Sequence, residues 1–541
     1  MPPEFSDDST AKNPAFSGLS GLRLIVAVTL IMAAGWGIRG AFGHSRGAAM
    51  PGAMLGLSLC LLSLRSDWWR RIAVIGFLTA VGWAFAGTAS YGLLIGYSQG
   101  GSWINSAYGY SGLFLVGSLY GGIGAAMLAM GLTEKRSFLD QFLWPMILIY
   151  STWLLLDWTG ATAWSLQVFA KVPDRPLETL WLYDTLWLDA AVALVFGIII
   201  WIMMPRWKGA ASLIVLLSAS WFFGMFLLVR LTGFRINPSR GDAWAGCLGM
   251  LIALVRWNFS RTNRAAVMLI SFGALAGGLG FVVGELIQAL GRARWGPIGQ
   301  FESLQEFGYW TVMEQTLGGF MGLGVSLAAL KLIHGGLQEV EEDSPSSWFS
   351  SFAVFVLLGL LFTFNFPTNF RHWSEMKLIS DQTLGLPVGQ VLSVVACLIL
   401  GLLAFALWRQ RRGYLNLVPQ SLYGRGLLLT LVFLWMDLAV YMMLPRVGLP
   451  TSLMFFLALI IGTFLLLTVT DPGPKAESDS GTKNQTPASS DLWMLSVVHL
   501  LAWVCVPVVV ATVAWLTMTV KLPVKQDRFG QQASLSASLL P

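Results

Sequence analysis

Long apolar runs alternate along the chain with short polar breaks, and most runs have the length of a bilayer crossing. A spanning helix needs about 20 mainly apolar residues. By that rule about fifteen segments are expected, over residues 22–38, 48–64, 72–98, 109–132, 142–164, 185–204, 210–234, 243–258, 265–290, 308–333, 348–366, 388–408, 426–445, 451–469 and 492–518. The second and eighth are short and glycine-rich and read equally as broken or re-entrant helices, so the expected count is 13–15. The fold class is thus an all-α polytopic integral membrane protein.

The breaks set an orientation. The turns "RSDWWRR" (65–71), "TEKR" (133–136), "PRWKG" (205–209), "RTNR" (261–264) and "RQRR" (409–412) all fall on one side. Basic loops stay cytoplasmic, which puts the polar N-terminal segment 1–20 in the cytoplasm and the chain in the cell membrane. No cleavable signal is visible, so the first run reads as an uncleaved anchor. Residues 471–491 read as a flexible linker, 519–541 as a polar tail and the acidic stretch 338–347 as a solvated loop.

Composition agrees with the pattern. Of 541 residues, 55% are hydrophobic and 11% charged, and mean hydropathy is +0.67. Soluble domains carry about a quarter charged residues. The net charge of +6 sits in the short basic turns, so it points to topology and not to nucleic acid. Membrane lipids are the expected surroundings; oligomeric state is open. Cys60, Cys247, Cys397 and Cys505 lie singly in apolar runs and imply neither disulfides nor a metal site. No cofactor motif is present.

One stretch stands out for its polarity. "GIRGAFGHSRGAAMPG" (37–52) resembles "GFRINPSRGDAWAG" (233–246), each with Gly-x-Arg followed by Ser-Arg-Gly. The offset of about 194 residues persists: "YGLLI" (91–95) against "VGELI" (283–287), "YGYSG" (108–112) against "FGYWT" (307–311), "SLYGG" (118–122) against "TLGG" (316–319), and "ETLWLYD" (178–184) against "EMKLISD" (375–381). Collinear matches imply a parallel six-plus-six helix duplication, with halves 21–204 and 205–408 related by an axis along the membrane normal. About three further helices follow in a C-terminal extension over 426–518.

Under this topology Arg39, Arg46, Arg235 and Arg240 gather at the outer ends of matching helices. Guanidinium forks grip carboxylate, phosphate or sulfate in bidentate fashion, and the glycines expose backbone N–H groups to an anion. The plainer reading is that these arginines snorkel to the interface. Glu285 and Glu314 lie inside adjacent apolar runs at similar depth, and their counterparts in the first half are apolar or glycine. Charged side chains at such depth face a cavity or a partner, so these two are candidates for coupling or gating, or for fixed ion pairs with arginine. Asp437 is a third intramembrane acid, which His499 of the last run could meet. Asp184 and Asp381 read as helix N-caps, and Gly117/Gly121 and Gly273/Gly277 as packing pairs.

The six-plus-six plan is similar to that of the major facilitator superfamily. Certain organophosphate carriers of that group place one substrate-binding arginine in each half, on the first and seventh helices, and Arg39 and Arg235 are the matching positions. The loop "RSDWWRR" lacks the glycine-bearing signature that group carries there, so the resemblance is one of architecture.

Three functions follow as expectations, one of them a non-catalytic scaffold or assembly protein, for which the duplication alone would be sufficient. The first is a secondary transporter or flippase for an anionic solute or lipid-linked anionic group, held between the halves. The alternative is a membrane-embedded transferase acting on lipid or glycan at the outer face, with His44, His372 and Glu375 as its chemistry. A carrier requires a cavity between the halves, whereas the enzyme requires an outer groove beside "NFPTNFRHWSE" (365–375). No DxD, HExxH, GxSxG or P-loop sequence occurs, so an ATPase or zinc enzyme is not indicated.

Overall fold

A computed structural model describes residues 18–42, 45–169, 186–236, 243–340, 348–363, 385–419, 421–443, 448–469 and 507–515, with 374, 377, 379–380 and 382–383. These residues are almost wholly helical. The main helices are α1 (Gly18–Ile38), α2 (Ser45–Leu62), α3 (Ile72–Ala86), α4 (Gly92–Ser98), α5 (Trp103–Thr133), α6 (Leu143–Trp158), α7 (Leu186–Met203) and α8 (Lys208–Gly224). They continue with α9 (Ala243–Ser260), α10 (Arg264–Arg292), α11 (Tyr309–His334), α12 (Trp348–Phe355), α13 (Val388–Arg411), α14 (Leu422–Met443) and α15 (Leu449–Leu467). Helices α8 and α12 run on through π-helical turns at Met225–Leu231 and Val356–Leu360. Ten helices among the described residues are long and apolar enough to cross a membrane, and α2, α3 and α12 lie in shorter apolar helices. The protein is an all-α, membrane-embedded, multi-pass chain.

The short, glycine-rich second and eighth segments are each one continuous 18-residue helix, α2 and α9. Pro51 sits inside α2 without ending it, although it cannot donate to the Gly47 carbonyl. The expected single span 72–98 is instead two helices. α3 stops at Ala86 and α4 starts at Gly92, with Gly87 to Tyr91 between them. The Thr88 hydroxyl donates to the Phe85 carbonyl at 2.7 Å, and the Tyr120 hydroxyl to the Ala89 carbonyl. Side chains thus satisfy part of the broken backbone, as a low-dielectric interior requires.

The core is a bundle in which α5 packs along α10, α10 along α11, and α11 along α1; α2 and α3 close it. Helices α2, α3 and α5 are buried over most of their lengths. At the α5–α10 crossing Gly117 and Gly121 face Gly277 and Gly273 so closely that a Cβ on any of them would run into the opposite backbone carbonyl. A further layer, α6 to α9, packs through α7–α8 and α8–α9. Helix α15 lies on α1, and α14 on α2, while α13 buries no residue and leans on α12 and its π-helical turn.

The basic turns collect at one end of the bundle. There Arg65 grips Asp67 at 2.8 and 2.9 Å and reaches the Leu337 carbonyl, tying the start of the Ser66–Arg70 turn to the end of α11. Arg261 donates to Glu134, just past α5, at 2.9 Å. Burial raises the Glu134 carboxyl above its ordinary range, and Arg261 pulls it part of the way back.

Candidate functional site

At the opposite end, four chain segments meet around Arg39, in the 3-10 turn that follows α1. This side chain is 2% exposed. Its Nε donates to Glu314 Oε2 at 3.2 Å, and Nη2 donates to the Tyr91 hydroxyl at 2.9 Å and to Glu314 Oε1 at 3.4 Å. Tyr91 itself donates to Glu314 Oε1. Below the guanidinium lie the rings of Trp36, Tyr91 and Tyr120, at 4.7, 5.5 and 5.7 Å. An ion pair this far from water is held only when its lone pairs and protons are hydrogen-bonded and its charge is stabilised nearby, which the tyrosine and the ring faces provide. The fork expected to face an anion is therefore already engaged by a carboxylate of α11. Gly37, against Gln315, and Gly318, against Trp36, let α1 and α11 approach closely enough for the pair to form.

Glu285, on α10, is separate from this pair and has no exposed surface. Ser98 Oγ donates to its Oε1 at 2.7 Å and Gln99 Nε2 at 2.8 Å, both from the end of α4. Its other oxygen, Oε2, has no hydrogen-bond partner, and neither has Oε1 of Gln288, one turn along α10. Gln99 Oε1 accepts a long bond from Arg292 Nη1 at 3.5 Å. A cleft lined by Gln288, Arg292, Arg294, Tyr309 and Trp310 opens beside this group. The two acids expected at similar depth thus have different surroundings. Glu314 is locked to arginine; Glu285 is held by neutral donors.

Asp437, on α14, is also fully buried, and neither carboxyl oxygen has a hydrogen-bond partner. It sits where a Cβ on Gly35 would touch Met54, Pro51 and Asp437 itself. Arg235 follows the π-helical end of α8 and is half-buried; the Tyr108 hydroxyl donates to its carbonyl at 3.0 Å. His44, Arg240, His372, Glu375, His499, Asp184 and Asp381 lie outside the described residues, as does the side chain of Arg46.

A cavity of about 310 Å3 is lined by residues of α2, α3, α6, α7, α8, α9 and the π-helical stretch that continues α12. Its wall is mainly apolar, with Phe77, Phe85, Tyr150, Trp153 and Trp221 among the largest contributors. Polar groups are few and include Thr88, in the break after α3, and Asp157 and Asp189. Thr88 faces the cavity while Tyr91, three residues on, holds Glu314, so the break joins cavity and ion pair. Sites for small molecules are typically concave, mainly apolar and furnished with few polar groups.

Tyr91, Tyr120, Ser98 and Gln99 escape a reading of the sequence alone. The first three belong to residue types common in apolar helices. Only the run "GTASYG" (87–92), five small residues around one tyrosine, hints that the helix pauses there. Among the described residues no group of three or more His, Cys, Asp or Glu side chains is placed to hold a metal ion. No known protein family, curated protein or solved structure matches the chain.

Proposed function

We propose that the protein is a secondary carrier or flippase for an anionic solute or a lipid-linked anionic group. The observation that carries this reading is the apolar cavity of about 310 Å3 bounded by helices of both halves of the proposed duplication. It suits a hydrocarbon portion. Arg39 suits the anion, which would displace Glu314 from the guanidinium and so couple binding to release of the α1–α11 contact. The guanidinium keeps an anionic partner throughout, and the displaced Glu314 carboxylate would take up a proton from water, because a low-dielectric site does not hold it bare.

The duplication is part of the proposal. It pairs helices α1 to α7, with α3 and α4 taken together, with α8 to α13 in order along the chain. Their packing differs: α1 lies along α11, whereas its counterpart α8 lies along α7 and α9. Unequal contacts of this kind suit a carrier caught with one side closed, since alternating access rocks one repeat against the other.

Thermal shift on purified protein tests the reading, with a panel of phosphorylated, sulfated and carboxylated solutes and their lipid-linked forms. A true ligand stabilises wild type and leaves Arg39→Gln unmoved, and the same comparison with Arg235→Gln asks whether the second half contributes. Ala190→Trp, which fills the cavity, should abolish the response to the lipid-linked form only. If no anion stabilises wild type, or if Arg39→Gln responds as wild type does, the reading fails.

A further inference from the structure

We propose that Glu285 and Gln288 form a binding site for a monovalent cation, Na+, reached through the cleft between α10 and the start of α11. The identification of this cation as a coupling ion rests on the carrier reading above; its binding does not.

The argument starts from two oxygens. Glu285 Oε2 and Gln288 Oε1 are both acceptors, both belong to residues at most 1% exposed, and both lack a hydrogen-bond partner. Residues three apart on a helix share a face, so the two acceptors lie on one side of α10. An acceptor left bare in a dry interior is costly, most of all on a carboxylate. Each calls for a donor or a cation. Two nearby donors, Ser98 and Gln99, both serve Oε1.

The surroundings select the charge. Helices α4 and α5, which carry or adjoin the Ser98–Gln99 arm, contain no charged residue at all. The α11 carboxylate that follows, Glu314, is already balanced by Arg39. Arg292 donates to Gln99 at 3.5 Å and acts on Glu285 by its charge, which water screens because the side chain is exposed. When Glu285 is ionised, one carboxylate and one neutral amide oxygen leave a single negative charge, which a monovalent cation balances. A divalent ion takes more oxygens and more charge than this site offers. Oxygen-only ligation favours a hard ion over a transition metal.

Access and response are built in as well. Gln288 forms part of the cleft wall, so an ion can exchange with water and keep water ligands on that side. Ser98 and Gln99 end α4, which starts directly after the broken segment Gly87 to Tyr91, whose tyrosine bonds Glu314. A shift at Glu285 is thereby transmitted through α4 to the Arg39 lock.

The test uses the full chain, purified and melted in NaCl, KCl or choline chloride at equal ionic strength. Wild type should gain stability selectively and saturably with Na+. Glu285→Gln should lose that response, and Gln288→Ala should raise the half-saturating Na+ concentration several-fold. Gly401→Ala, on α13 away from this group, should keep it. Equal melting in Na+ and choline overturns the proposal, and so does a Na+ response unchanged in both α10 variants. Should Glu285→Gln fail to fold, Gln288→Ala and the salt series on wild type still decide. A Na+ response in a protein that no anion stabilises would retain this site while the carrier reading fell.

Discussion

At the scale of the residue, three buried acids in one bundle obey the same electrostatics with different outcomes. Glu314 has a guanidinium, a phenol and a ring cluster around it. Removing one partner of such a pair typically costs about 3–5 kcal/mol, because the other charge stays behind without compensation. Arg39→Gln should therefore destabilise strongly in a thermal melt, and the double variant with Glu314→Gln should recover a good part of the loss. Additive losses would mean that the two side chains contribute independently and that the pair is incidental. Asp437 is the opposite case. It makes no hydrogen bond with either oxygen, so its leucine isostere removes a desolvated polar group and keeps the branch shape. Asp437→Leu should raise stability by about 1–3 kcal/mol, the usual penalty of an unsatisfied buried group. A marked loss would reveal a partner that Asp437 meets in another conformation.

At the scale of the element, the helices meet through glycine where they must touch and through larger side chains elsewhere. Gly121 and Gly273 bring the backbones of α5 and α10 into contact, and neither helix can retreat without opening the core. Gly121→Ala should cost roughly 1–3 kcal/mol, the usual range for overpacking a tight core. Gly401, in α13, has nothing within 4 Å of the added methyl. Gly401→Ala should be neutral or gain up to about 1 kcal/mol from helix propensity. Similar effects at both sites would sink the packing account. These crossings were legible in the sequence, because small-xxx-small spacing survives in one dimension. So were the elements, since an apolar run of bilayer length leaves few alternatives. The break after α3 was not, because Gly87 to Ser90 are small enough to continue an apolar run. Nor was the ion pair: Arg39 and Glu314 stand 275 residues apart, and nothing local in either stretch names the other. Charges inside apolar runs announced that they needed partners, but which partner is settled by the packing of α1 on α11.

At the scale of the whole molecule, the distribution of charge gives the bundle two unlike ends. One carries the basic turns around Arg65, Arg70, Lys135, Arg136, Lys208 and Arg261. The other carries the Arg39 lock, the Glu285 group and the cleft between α10 and α11. Lysine and arginine in short loops are retained in the cytoplasm, so the first end should face inward and the second outward. An inward lock and an outward lock imply opposite directions for the same chemistry, which makes orientation the property on which a transport mechanism turns. Thiol labelling settles it. Lys135 and Glu302 are exposed at opposite ends; the native Cys60 and Cys247 are buried, while Cys397 is exposed on α13 and Cys505 lies outside the described residues, so both are replaced by serine in the labelled variants. A membrane-impermeant maleimide should label Glu302→Cys in intact cells and Lys135→Cys only after the membrane is opened. The reverse pattern would place the Arg39 lock and the proposed cation site on the cytoplasmic face. The ion gradient acting at Glu285 would then draw Na+ out of its site, and the lock would close against substrate arriving from within.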